Sequence, residues 1–102
     1  MELKIRDRIA IMDMLPKTGS IMEMVDIMGI IKKVRIEQEE KIQLNYKESN
    51  GVISWDIEFD KGKSVNFTFE ELSILKESVK KLDSEKLVNA ANLDICLKIN
   101  SL

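Results

Sequence analysis

The chain has 102 residues, 44% apolar and 33% charged, with 16 basic and 18 acidic side chains and a net charge of −2. That balance predicts one globular domain over residues 1–102, excludes a disordered chain, and offers no field to attract nucleic acid or an anionic membrane. Histidine is absent, which removes the commonest general base and the commonest metal ligand.

Residues 3 to 15 read as a helix. Ile5, Ile9 and Met12 recur at helical spacing with Leu3, Ala10 and Leu15 alongside, while Lys4, Arg6, Asp7, Arg8 and Asp13 supply a solvent side. Pro16 stops it, because the residue before a proline avoids the helical region. Ser20-Ile21-Met22-Glu23 matches a capping box and opens a second helix. From Ile21 to Ile31 only Glu23, Asp26 and Gly29 are not large and apolar, and with Lys33 they form one narrow polar stripe. Gly29 marks either a close helix contact or a tolerated glycine costing about 1 kcal/mol.

Ile36 to Glu40 reads as a polar connection, and a stretch of period two follows from Lys41 to Phe69. Ile42, Leu44 and Tyr46 alternate with polar residues, as do Ile53, Trp55, Ile57 and Phe59, and then Val65, Phe67 and Phe69. Asn50-Gly51 is a type I′ hairpin signal, and Asp60-Lys61-Gly62-Lys63 a second turn. Thr68-Phe69-Glu70-Glu71 is another capping box, starting a third helix with Leu72, Leu75, Val79 and Leu82 on one face. Asp83 to Val88 interrupts the pattern. Asn89 caps a last short helix in which Leu93, Cys96 and Leu97 face inward, near Ile95 and Ile99. The expected fold is α+β: a three-stranded antiparallel meander with two N-terminal and two C-terminal helices packed on one face, and Trp55 buried beneath them.

The order of these features resembles a family. The charged start, the helix ending in Leu15-Pro16, the turn with Gly19 and the apolar helix leading to a Glu-rich loop carry the likeness. So do the hairpin with Gly51 and Trp55, the helix ending in Lys80-Lys81-Leu82-Asp83, and the segment after Leu87. The family is a set of small accessory proteins of tailed phages and prophages. The resemblance implies a phage accessory role and carries over no catalytic residue.

No catalytic, cofactor or metal site is expected from the residues themselves. Asp56, Glu58 and Asp60 before Gly62 imitate a calcium loop, but the glycine comes one position late and Phe67 stands where a bidentate glutamate belongs. Cys96 has no histidine to activate it and reads as a small core residue in a reducing, cytoplasmic setting. No signal peptide and no membrane-spanning run is visible in the sequence. Lys32, Lys33, Arg35 and Lys41 form the best basic cluster, and the two N-terminal helices imitate a helix-turn-helix, yet the second is too apolar to serve in a DNA groove.

The breadth of apolar surface on the second helix is the remaining signal. Five methionines, Met12, Met14, Met22, Met24 and Met28, fall in the first two helices. The meander takes one stripe of the second helix, through Ile21, Val25 and Met28, and leaves Met22, Ile27 and Ile30 as candidate partner-interface residues. Two function classes follow. The first is a phage- or prophage-type accessory protein acting through protein–protein contact, host-modulating or anti-defence in role, its partner a host or phage protein or a second copy of itself. The second is a small DNA-associated regulator using its N-terminal helices.

Overall fold

A computed structural model describes residues 1–102. The fold is α+β, with four α-helices of eight residues or more, one short α-helix, a turn of 3-10 helix at Ile57–Phe59, and two antiparallel sheets of two strands each. In chain order these are β1 (Glu2–Leu3), α1 (Ile5–Met14), α2 (Ile21–Val34), α3 (Gln38–Gln43), β2 (Lys47–Ser49), β3 (Val52–Ser54), β4 (Lys63–Ser64), α4 (Phe69–Ser84) and α5 (Leu93–Asn100).

The core is helical. Ile11 and Ala10 from α1, Ile27, Ile30 and Val34 from α2, Leu75 and Val79 from α4, and Ile95, Cys96 and Ile99 from α5 close on one another. Leu3 and Val65 join them from the β1–β4 side. On α5 the inward residues are Ile95, Cys96 and Ile99, whereas Leu93 and Leu97 are exposed, one helical position away from the face expected. The helix begins at Leu93 after Asn92, and Asn89 instead folds the preceding turn by accepting from the Ala91 and Asn92 amides.

The three-stranded meander does not form. Its first strand is replaced by α3, where Glu37 and Glu40 make a capping box and Glu39 and Glu40 lie at the positive end of the helix dipole. Asn45, at φ +53°, ends α3 in a Schellman arrangement: Tyr46 N–H donates to the Lys41 carbonyl and Asn45 N–H to that of Ile42. The third strand does not form at Val65, Phe67 and Phe69; the short β4 lies just before it, where the second turn was expected to end, and pairs with β1, placing Glu2 opposite Ser64 and Leu3 opposite Lys63. Phe69 is already the first residue of α4. Ile42, Ile57, Phe59 and Phe69, all assigned to a buried sheet face, therefore stand in solvent. Trp55 is half-buried beyond the end of β3 instead of sitting beneath covering helices.

Only the hairpin at the centre of the expected meander remains. Strands β2 and β3 pair Lys47 with Ser54, Glu48 with Ile53 and Ser49 with Val52. Asn50 at φ +53° and Gly51 at φ +77° make the type I′ turn.

Two further sequence expectations hold in local geometry. Ser20 accepts from the Glu23 amide and Thr68 from the Glu71 amide, each with the reciprocal glutamate bond to the cap residue. Leu15 is extended before Pro16, and α1 stops there.

The largest departure is polar. Asp7 and Arg8, placed on the solvent side of α1 by periodicity, are both buried, Arg8 at 2% exposure. Arg8 Nε donates to the Val34 carbonyl at 2.9 Å and Nη2 to the Arg35 carbonyl at 2.6 Å. Its two terminal nitrogens also grip the Glu40 carboxylate at 2.6 and 2.9 Å. One guanidinium thus satisfies the open carbonyls at the end of α2 and anchors α3 beside them. Asp7 accepts from the Lys4 amide at 3.0 Å and from Lys98 Nζ at 2.7 Å, tying α1 to α5.

Removing the Arg8 side chain leaves two carbonyls and part of a carboxylate unpaired, so Arg8→Ala should cost about 3–5 kcal/mol; urea unfolding measures this, and a loss below about 1 kcal/mol would refute the anchoring role. At the hairpin, a Cβ on Gly51 meets nothing within 4 Å, so the penalty of Gly51→Val is purely conformational. It should lower stability by about 1–2 kcal/mol, and an unchanged melting temperature would contradict the left-handed turn.

Candidate functional site

The candidate site is the outer face of α2. Ile27, Ile30 and Val34 turn inward at 2%, 0% and 0% exposure. The opposite side of a helix of 3.6 residues per turn then carries Ile21, Val25, Met28 and Lys32, with Met22 beside them. Ile21 is 85% exposed, Met22 69%, Val25 58% and Met28 57%. Of the three residues expected at a partner interface, Met22 lies on this surface. Ile27 and Ile30 are core residues and are not available to a partner. The stripe expected to pack on a sheet, Ile21, Val25 and Met28, is the one in solvent. Without a meander there is no sheet face for it, and α2 buries its other side against α1 and α4.

The face is held in place from behind. Arg8 fixes the end of α2, as described above. Farther along, the Glu71 carboxylate from α4 accepts from Lys33 Nζ and, at 2.9 Å, from the Thr68 amide. Its second oxygen lies where a Cβ on Gly29 would come within 2.5 Å. Gly29 therefore marks a close contact between α2 and α4. Lys33 also stands 5.9 Å from the centre of the Phe67 ring.

The basic cluster is largely consumed by such pairs. Lys33 is bound to Glu71, Arg35 pairs with Glu37, and Lys41 lies over the Tyr46 ring. Lys32 alone of the four extends the exposed stripe. The acidic run of the imitation calcium loop is also dispersed: Asp60 accepts from the Ile5 amide at 3.0 Å, and no three Asp, Glu or Cys side chains gather where a cation would sit. Cys96 is buried, and burial with the Asp83 charge pushes its thiol pKa up, away from nucleophilic use.

A concavity of about 410 Å³ lies between α1, the hairpin and the Asn89–Asn92 turn, with Ile9, Met14, Ile53, Trp55 and Leu82 in its walls. Trp55 forms part of another hollow on the other side, and its indole Nε1 is buried without an acceptor. Trp55 thus joins a loosely covered hairpin to the helices. Sequence periodicity missed its half-open setting because it assigned the residue to a sheet face that does not exist.

The residues of the candidate face that sequence reading assigned to a sheet contact are Ile21, Val25 and Met28. Their spacing was visible, but which side of α2 turned outward depended on the partners of α2. No protein-family model, curated protein or solved structure matches this chain. No helix is long and apolar enough to cross a membrane.

The supports behind the face are acid-sensitive. The Arg8 hydrogen bonds hold the Glu40 carboxyl below its ordinary value of 4.5, outweighing burial. Burial pushes the Glu71 carboxyl up, but the bonds from Lys33 and Thr68 overcome it and leave the pKa lowered. A carboxylate with a lowered folded pKa adds stability that is present above its unfolded pKa and disappears as pH falls through the folded one. Urea midpoints should therefore be level from neutrality to about pH 5.5 and decline below about 4.5, with Glu40→Gln reducing the acid slope. An identical slope in Glu40→Gln would remove Glu40 from this account.

Proposed function

We propose that the protein works by protein–protein contact through the outer face of α2. The observation that carries this reading is the exposure of Ile21, Met22, Val25 and Met28 together on a helix whose other side is fixed in the core. Such side chains present about 500 Å² of apolar surface, toward the upper end of what a monomer shows as one patch. Two of the four are methionines, whose flexible, polarisable side chains adapt to an opposing surface. The accessory role of a phage or prophage protein, directed at a host or phage partner, belongs to this proposal and rests on the order of sequence features described above. The DNA-associated alternative is less well supported, because Lys33 and Arg35 are already paired and the outward face of α2 is apolar.

The test compares capture by the parent and by surface variants of equal stability. Val25→Lys and Met28→Lys should leave the melting temperature within a few degrees, since both residues are solvent-facing. A protein retained stoichiometrically by the parent should be lost by both variants. A partner that binds all three alike would show that the contact lies elsewhere on the molecule.

A further inference from the structure

We propose that this face is occupied by a second copy of the same chain, with the two α2 helices packed antiparallel about a twofold axis. The inference rests on the proposed function and specifies the partner. Ile21, Val25, Met28 and Lys32 follow one another at spacings of four, three and four. That spacing is the same in both directions, so an antiparallel copy sets Val25 against the other chain's Met28 and Ile21 against its Lys32. Self-complementarity of this kind is what a twofold interface requires.

Charge selects the antiparallel orientation. The stripe has one charged residue, Lys32, and it lies at one end. A parallel pair brings the two ammonium groups together. An antiparallel pair separates them by about 16 Å along the axis, roughly twice the screening length at physiological salt. Each Lys32 then lays its aliphatic stem on Ile21 of the other copy and keeps its charge in water. The area is also sufficient for a weak dimer. The four exposed apolar side chains supply about 500 Å² per copy, and the partly buried Met24 and Ile31 with the Lys32 stem extend it toward the roughly 800 Å² per partner of a standard interface. An interface at the small end of that scale predicts a dissociation constant of about micromolar or weaker.

Sedimentation of the full chain over a roughly hundredfold concentration range around the micromolar tests the inference. The parent should pass from monomer to dimer. Val25→Lys and Met28→Lys should each weaken the dimer about tenfold or more while keeping the parent's circular dichroism and melting temperature. Ile42→Lys, at an exposed apolar position on α3, should leave association unchanged. Orientation has its own readout. When chains carrying Ile21→Cys are mixed with chains carrying Lys32→Cys, oxidation should join unlike chains in preference to like ones. Preferential joining of like chains would overturn the antiparallel arrangement. A parent that stays monomeric throughout would overturn the second copy and leave a foreign partner on the same face. A dimer that survives both lysine variants would place self-association on another surface and overturn this inference, while the proposed function would still stand or fall on capture of a foreign partner.

Discussion

One buried guanidinium holds the architecture together. An α-helix leaves its last carbonyls without partners, and at the end of α2 one of them belongs to the fully buried Val34. Arg8 reaches across from α1 to supply donors to Val34 and Arg35, and the same group takes both oxygens of Glu40. A lysine in its place has no planar fork to bind two carbonyls and a carboxylate together. A leucine fills the space but abandons the carbonyls. The geometry of the α1–α2–α3 corner therefore depends on the chemistry of that one side chain.

This constraint explains the shape of the candidate surface. With its end gripped by Arg8 and its middle pressed at Gly29 by Glu71, α2 has one rotational setting about its axis. A turn of a single residue would carry Lys33 away from Glu71 and expose Ile30 or Val34. The apolar stripe is outside because the polar contacts on the inner side are specific, whereas apolar packing alone tolerates exchange among Ile, Val and Met. Polar residues thus determine which apolar residues are left in solvent.

Local signals were legible in the sequence wherever a short motif fixes its own backbone. Ser20 and Thr68 capped, Pro16 stopped, and Asn50-Gly51 turned as their chemistry requires. The helices from Ile21 and Phe69 were readable for the same reason, and the first helix was too except at its start, where Leu3 belongs to β1 and the helix begins at Ile5. Long-range choices were not. The period-two run at Ile42, Leu44 and Tyr46 had no way to reveal that Glu37 and Glu40 would cap a helix through it, although Glu39-Glu40 and the αL-tolerant Asn45 were hints of a start and an end. Arg8 was misread because periodicity treats every arginine as solvent-seeking, and its burial depends on carbonyls 26 and 27 residues away. The candidate surface suffered from the same gap: the number of apolar residues on α2 was clear, and their division between core and solvent was decided by α4.

The pairing of β1 with β4 has a consequence for the order of events in folding. Glu2 and Leu3 leave the ribosome early, but their partners Ser64 and Lys63 follow some sixty residues later. Asp7 waits longer still, since its ammonium partner is Lys98. The helical hairpin of α1 and α2 can assemble early from near neighbours, while strand closure and the docking of α5 carry the entropy of long loops. A nascent chain accordingly keeps Leu3, a core residue, without its strand partner until Lys63 has been made, and Asp7, a buried charge, without its ammonium partner until Lys98 has been made. During that interval the apolar side chains later enclosed by α4 and α5 are exposed beside those that remain outside in the finished fold.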